Sequence, residues 1–157
     1  MPAFQLSGLS PVAFEPLFAL SDEELRNLGA VRQVATGDFG FPCRIGLLDA
    51  QAGEELLLLP YEHQAAATPY RASGPVFVRR GARQCTLPPG VVPPYVAKRL
   101  ISWRAYDDTD LMIDAAVCEG TRIGTALEQV FANPAVAYVH LHNAKRGCYS
   151  CLASRVA

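Results

Sequence analysis

The densest group of chemically reactive side chains lies in the segment AYVHLHNAKRGCYSC, residues 137–151. It contains His140 and His142, two of the three histidines of the chain, and Cys148 and Cys151, two of its five cysteines. The first part alternates apolar and polar residues, which predicts a strand whose successive side chains point to opposite faces. Both histidines then share one face, and the cysteines follow a polar turn. We therefore expect a polar site at the end of this strand.

Cys148 is a candidate catalytic nucleophile. A nearby histidine or positive charge favours a thiolate, and His142, Lys145 and Arg146 are close in sequence. On this hypothesis His142 acts as base or orienter, the pKa of Cys148 is depressed, and the thiol is alkylated readily even below neutral pH. The C-x-x-C spacing also fits a redox pair, although such a motif usually opens a helix. The third alternative is that both cysteines are small buried side chains.

The same four histidine and cysteine side chains are accepted zinc ligands, and Cys₂His₂ is a known structural set. Their spacing is unusual for zinc, because two ligands come from one rigid strand at i and i+2 and the other two follow at once. We therefore expect no metal and no cofactor. A Cys/His metal site remains an alternative.

A second polar group lies near residues 61–73. Tyr61 and His63 repeat the i, i+2 spacing at the end of another predicted strand. The predicted long loop 62–73 also carries Tyr70 and Arg71, and long ordered loops are often functional. If the two strand ends are neighbours, imidazole, phenol and guanidinium groups converge at one rim of the sheet.

This convergence defines the candidate site. The candidate catalytic residues are Cys148 and His142, and the candidate ligand-binding residues are His63, Tyr70, Arg71, His140 and Asn143. The sharpest form of the hypothesis places His142, Arg71 and Cys148 in a single solvent-accessible pocket. Some cationic side chains could form an anion clamp, because arginine fits carboxylate and phosphate groups. The cations considered for this role are Arg44, Arg71, Arg79, Arg80, Arg104, Lys145 and Arg146.

The first half of the chain predicts short helices followed by strands. A strand is expected over 4–6, and a helix over 11–20 that Pro16 weakens. Ser21 followed by Glu24 is a capping-box pattern for a helix over 22–28, which Gly29 ends. The next expected elements are strands 41–48 and 54–61, joined by a hairpin loop over 49–53, and a strand over 76–79. Since 56–59 is apolar on both faces, the second of these strands should lie inside the sheet.

The second half predicts a helix over 93–99, a strand pair and a helix that crosses over to the strand with the histidines. The strand pair is expected over 101–106 and 111–118, with a turn over 107–110. Thr121 is predicted to cap the following helix. The apolar residues of that helix, at 123, 126, 127, 130 and 131, form one stripe. The pattern indicates an α+β single domain over 1–157, with a mostly antiparallel sheet, a few helices packed on one face, and one right-handed crossover.

The amino-acid composition indicates which class of protein this chain belongs to. Half of the residues are hydrophobic and 18% are charged, which favours an ordered globular protein. The net charge of −1 argues against a nucleic-acid partner, and no apolar run approaches the ~18 residues of a membrane span. Five cysteines without a secretory leader predict reduced thiols and a cytoplasmic location.

Four segments resemble a known family. They are FPCR (41–44), GEELLLLPYEHQ (53–64), PYRASGPVFVR (69–79) and YVHLHNAKRGCY (138–149), and in this order they are similar to the bacterial proteins grouped as domain of unknown function 1203. The resemblance implies a single-domain bacterial protein and supplies no activity.

The hypothesis from sequence is a domain that binds a small, anionic molecule in a polar His/Arg/Cys pocket at the rim of the sheet. Whether Cys148 also catalyses a reaction is left open. The alternative is a non-enzymatic structural or protein-interaction module that uses the same residues.

Overall fold

The computed structural model describes residues 3–156. The α-helices of this part of the chain are α1 (Asp22–Asn27), α2 (Pro94–Ala97) and α3 (Ile123–Phe131). The strands are β1 (Phe4–Ser7), β2 (Val31–Val34), β3 (Pro42–Cys43), β4 (Leu48–Asp49), β5 (Glu55–Gln64), β6 (Ala72–Arg79), β7 (Leu100–Tyr106), β8 (Met112–Glu119), β9 (Tyr138–Asn143) and β10 (Tyr149–Arg155). Two short 3₁₀ helices cover Glu15–Ala19 and Gly120–Arg122.

The first sheet has the strand order β1-β10-β9-β7-β8, and all of its neighbouring strands pair antiparallel. Because β8 and β9 both run antiparallel to β7, they are parallel to each other. The connection through α3 therefore crosses over β7. The register places Ser102 opposite His142 and Arg104 opposite His140, so these polar side chains share one face of the sheet.

The other face of the first sheet packs on α3. The apolar stripe of α3, with Ile123, Leu127, Val130 and Phe131, is buried. It lies in one cluster with residues of the sheet that include Leu141 of β9. The expected amphipathic helix is thus confirmed, and it decides which face of β9 is apolar. The histidines of β9 are left on the face turned away from α3.

The second sheet has the order β2-β5-β6-β3-β4, with one parallel pairing, between β3 and β6. Its core side carries Leu57, Leu59, Val76 and Val78 and is covered by apolar residues of the N-terminal helices. Tyr149 of β10 is buried in the same cluster. Tyr149 therefore packs the first sheet against the second, near the polar ends of β5 and β9.

The α+β fold class with mostly antiparallel pairing is confirmed, but the strands form two sheets and not one. The predicted hairpin of 41–48 with 54–61 is wrong. Residues 44–47 form a turn, with Leu47 at a φ of 53°, and leave only the two-residue strands β3 and β4. The edge partner of β5 is β2, a strand that the sequence analysis did not predict. The expected interior position of 56–59 is confirmed, since β5 pairs on both sides.

Other boundaries also differ from the expectations. Strand β5 continues to Gln64 and β6 begins at Ala72, so the connection is shorter than the predicted loop 62–73, and His63 is a strand residue. Strand β10 after Cys148 was not foreseen. Segment 11–20 contains a 3₁₀ helix and no α-helix. Thr121 does not cap α3, because a 3₁₀ turn precedes that helix and its N-cap is Arg122. The Ser21 cap is confirmed: its Oγ accepts from the Glu24 N–H at 3.1 Å.

Candidate functional site

The ends of β5 and β9 are neighbours. The ring of His63 lies 4.8 Å from that of His142 and 6.2 Å from that of His140 between centroids, and it stacks on Tyr149 at 5.7 Å. All three histidines of the protein therefore meet where the two sheets join. The name histidine cluster is used below for His63, His140, His142, Tyr106, Tyr138 and Tyr149.

Hydrogen bonds define the tautomer and the charge of the His142 imidazole. Its Nδ1 lies 3.1 Å from the carbonyl oxygen of Gly147 and its Nε2 lies 3.4 Å from Nη1 of Arg104. A carbonyl only accepts and a guanidinium only donates, so the proton sits on Nδ1 and the imidazole is neutral. By contrast, the Nδ1 atoms of His63 and His140 are buried without a partner in the described structure.

Burial keeps the histidine cluster uncharged. Desolvation, helped by the charges of His63 and Arg104, lowers the pKa of His140 to about 4, although Asp110 opposes this shift. Desolvation is also the main reason why the pKa of His142 falls to about 3, against the hydrogen bond to Gly147. The pKa of His63 is lowered by desolvation and by Arg104. At neutral pH these imidazoles offer no positive charge to a ligand.

The histidine cluster is packed inside the protein. His140 and His142 are 6% and 0% exposed, and neither lines the cavity of about 640 Å³ that is described below. This packing follows from the register, because the rings fill the space between the two sheets at their junction. His142 is therefore closed to solvent and His140 nearly so, whereas His63 is half-buried.

A cavity of about 640 Å³ lies between the second sheet and the turn from β9 to β10. Its polar wall combines Asn143 and Cys148 with five cationic side chains: Arg44, Lys98, Arg99, Lys145 and Arg146. No aspartate or glutamate is among the described residues that line it. The name cationic pocket is used below for this cavity.

Arg44 forms the buried part of the cationic wall. It is 1% exposed, and its guanidinium donates to the carbonyl oxygens of Tyr149 at 2.8 Å and Pro42 at 2.6 Å. A third N–H points at Sγ of Cys148 at 3.1 Å. Buried charges are normally paired with an opposite charge, yet no carboxylate of the described chain pairs with this arginine.

Arg99 differs from the other cations of the pocket because a carboxylate neutralises it. Its Nη2 and Nη1 bind the two oxygens of Asp49 at 2.5 Å and 3.1 Å. Lys98, Lys145 and Arg146 take part in none of the ion pairs found between residues 3 and 156. With Arg44, these three leave an excess of positive charge around the cavity.

The remaining lining of the cationic pocket is apolar and partly aromatic. It is formed by Phe39, Phe41, Pro42, Leu58, Pro75, Val76, Phe77 and Leu100. The rings of Phe41 and Phe77 pack against each other at 5.6 Å between centroids. The cavity thus combines cationic and apolar side chains, and the guanidinium of Arg99 lies over the ring of Phe39 at 4.6 Å.

The structure divides the predicted site residues between different places. Asn143 and Cys148 line the cationic pocket, whereas His63, His140 and His142 lie in the histidine cluster. The structure does not place His142, Arg71 and Cys148 in a single pocket, since Cys148 lines the cavity while His142 is fully buried and Arg71 lies outside the lining. His142 binds Gly147 and Arg104 instead of Cys148, so the geometry does not support it as the base of that thiol.

The two loop residues of the predicted site lie outside the cationic pocket. Arg71 is an exposed surface residue whose Nε donates to Glu62 at 3.0 Å. Tyr70 packs edge-on against Tyr106 at 6.2 Å, at the border of the histidine cluster. Because β5 and β6 extend further than expected, the short connection between them holds both residues beyond the ends of these two strands.

The geometry also contradicts the Cys₂His₂ and redox interpretations of the C-x-x-C segment. Cys151 pairs with Leu141 and is buried in the core beneath α3, on the face of the sheet opposite to His140 and His142. Burial raises the pKa of its thiol to about 12. Across residues 3–156, no three His, Cys, Asp or Glu side chains are arranged to hold a metal ion. Of the sequence alternatives, a buried small side chain describes Cys151.

Sequence reasoning missed Lys98 and Arg99, and it named Arg44 only as one of seven cations that could form an anion clamp. The one available signal for Arg44 was its position in the apolar run FPCRIG, where a charged residue needs a reason. Lys98 and Arg99 follow α2 and carry no motif. Their place in the pocket depends on how α2 sits beside β4.

Comparison with known proteins gives one match. A family model described as protein of unknown function (DUF1203) matches residues 40–155, and no curated protein or solved structure matches the chain. The resemblance inferred from the four sequence segments is thereby confirmed. The matched range contains the whole histidine cluster and all lining residues of the cationic pocket except Gln33 and Phe39.

Proposed function

The chain belongs to the DUF1203 family, and on this premise we propose that the protein binds a small organic anion in the cationic pocket. The observation that carries the proposal is Arg44, a buried guanidinium at the wall of a cavity with only neutral acceptors in the described chain. A buried cation without a carboxylate partner destabilises the fold. An anionic ligand would supply the missing countercharge.

The charge distribution supports an anion. The whole chain has a net charge of −1, yet the lining of this cavity combines five cations with no carboxylate, and only Arg99 is paired. A concave surface lined by charge of one sign raises the local concentration of the opposite charge. Arginine and lysine together also offer both directional and point-charge contacts to a carboxylate or phosphate.

The apolar wall indicates the rest of the ligand. Small-molecule pockets of roughly 300–1,000 Å³ combine an apolar lining with a few polar groups that orient the ligand, and the volume of about 640 Å³ lies in this range. Phe39, Phe41 and Phe77 face the same cavity as the cations. The ligand class that fits both walls is a carboxylate or phosphate attached to a ring or short apolar chain.

This function is tested by calorimetry at low ionic strength with phenyl phosphate and inorganic phosphate as probes. Phenyl phosphate should bind more tightly, because its ring removes apolar surface from water. The double variant Lys145→Ala/Arg146→Ala should weaken binding of both probes about 10-fold, since two charged contacts are lost. Arg83→Ala is the matched control, because this exposed arginine is not part of the pocket lining. The variant should bind both probes as tightly as the unmodified protein does.

Two results would contradict the proposed function. One is that neither probe binds to the unmodified protein. The other is that Arg83→Ala weakens binding as much as the double variant does, which would mean that the probes respond to overall charge and not to the pocket.

We also propose a cytoplasmic location. All five cysteines are free, and free thiols persist where the compartment is reducing. Within residues 3–156 no helix has the length and apolar character needed to cross a membrane.

A further inference from the structure

Cys148 contributes a thiol to the wall of the cationic pocket, and the binding function does not need it. Its Sγ lies 3.1 Å from Nη2 of Arg44 and 3.8 Å from Nδ2 of Asn143. Cys148 is half-buried while Arg44 is 1% exposed, so the sulfur lies between a buried cation and the cavity. Positive charge beside a partly exposed sulfur is the environment in which cysteines act as nucleophiles.

Asn143 independently indicates that this part of the pocket receives a ligand. The residue is 8% exposed and lines the same cavity. Its Oδ1 is buried without a hydrogen-bond partner in the described structure, which is unusual because buried side-chain polar atoms are nearly always paired. If the positions of Oδ1 and Nδ2 of Asn143 were exchanged, the atom at the buried position would still have no partner. This unpaired amide belongs to the wall of the pocket beside Sγ of Cys148.

We propose that Cys148 is a covalent modification site that reacts selectively with small anions carrying an electrophilic carbon. This inference rests on the proposed function, because the pocket must first hold the anion. The thiol proton leaves to solvent, and the sulfur electron pair forms a bond to the electrophilic carbon. The bond from that carbon to its leaving group breaks, and the leaving group departs with the bonding electrons. Lys98, Lys145 and Arg146 hold the anionic group of the reagent.

The pocket is suited to forming this adduct and not to hydrolysing it. None of the described lining residues is a histidine, aspartate or glutamate, so the cavity has no usual general base to activate water. His142, the nearest histidine in sequence, is neutral and bound to Gly147 and Arg104. The expected chemistry is one covalent event per protein molecule, as in a site that captures or senses an electrophile.

The test compares the rates at which iodoacetate and iodoacetamide alkylate the native protein, with each cysteine followed by peptide mass spectrometry. The thiolate attacks the CH₂ carbon of either reagent and displaces iodide, and only iodoacetate is anionic. The ratio of the two rates therefore cancels the thiolate fraction and reports attraction of the anion. At Cys148 this ratio should exceed that at Cys85 by about 10-fold or more. Cys85 is a suitable internal control because it is half-buried and lies outside the pocket lining.

Two further comparisons complete the test. Lys145→Ala/Arg146→Ala should lower the ratio of the iodoacetate rate to the iodoacetamide rate at Cys148 about 10-fold, and Arg83→Ala should leave this ratio unchanged. Equal rate ratios at Cys148 and Cys85 overturn the inference. If phenyl phosphate binds in that case, the proposed function survives and only the reactive thiol is wrong. If phenyl phosphate also fails to bind, both are wrong.

Discussion

Replacing Arg44 by alanine is expected to lower the free energy of unfolding by about 3–5 kcal/mol and to abolish binding of phenyl phosphate. The substitution leaves the carbonyl oxygens of Tyr149 and Pro42 without their donor, at about 1–3 kcal/mol for each buried unpaired group. It also leaves a cavity in a fully buried site. Urea unfolding followed by circular dichroism measures the stability, and calorimetry measures the binding.

Arg44→Lys separates the charge from the geometry of the guanidinium. Lysine keeps the positive charge, but its single nitrogen cannot reproduce the planar fork that serves Tyr149, Pro42 and Cys148. This variant should therefore lose part of the stability and retain measurable anion binding. Arg83→Ala, an exposed arginine outside the pocket lining, should change stability by less than about 0.5 kcal/mol. A loss below about 1 kcal/mol for Arg44→Ala would show that the buried contacts are dispensable.

Mild acid is expected to destabilise the protein through the histidine cluster. In the unfolded chain the histidines titrate near the ordinary pKa of 6.5, whereas in the folded protein the pKa is about 4 for His140 and about 3 for His142. Between these values the unfolded state binds more protons, so the free energy of unfolding decreases as the pH falls below 6.5. By pH 5 the two residues together should remove about 4 kcal/mol, at about 1.4 kcal/mol per histidine and pH unit.

The window between pH 6.5 and pH 5 isolates the histidines. Every histidine of the chain lies in the cluster, and the other charged groups next to it are Arg104 and Asp110. Carboxylates with a lowered pKa, such as Glu55 and Asp107, lose their stabilising charge only at lower pH. Above pH 6.5 the histidines are neutral in both states, and their contribution no longer changes.

Glutamine variants of the two histidines test this origin. His140→Gln and His142→Gln should each reduce the slope of stability against pH by about 1.4 kcal/mol per unit, because glutamine does not titrate. Tyr70→Phe is a control at the border of the cluster, and it should leave the slope unchanged. The same slope in all three variants and in the unmodified protein would contradict the assignment. Chemical denaturation at several pH values provides the measurement.

Several features of the fold could be predicted because they depend on neighbours in the sequence. The Ser21–Glu24 cap needs only a hydroxyl placed three residues before an N–H, and the structure contains that bond. The stripe of α3 follows from helical periodicity, and the alternation in β9 correctly separated its histidines from Leu141. Strands β2 and β10 were missed, because β2 is short and β10 begins within the C-x-x-C segment, which was interpreted by its chemistry.

The candidate site depended more strongly on tertiary structure. Grouping Cys148 with His142 rested on their closeness in sequence, although Cys148 lies between β9 and β10 and lines the cationic pocket while His142 is buried in the histidine cluster. The actual neighbour of Cys148, Arg44, is 104 residues away. No local pattern reports such a contact, and the apolar run around Arg44 only marks it as a cation that needs an explanation.

By itself, the sequence determined the α+β class, the amphipathic face of α3, the family, and the residue types from which any site must be built. Tertiary structure alone decided that the strands form two sheets, that His140 and His142 are buried where these sheets join, and that five cations line a cavity beside Cys148. The physical reason is that capping and periodicity act over a few residues. The choice of neighbouring strands depends instead on the burial of apolar surface summed over the whole chain.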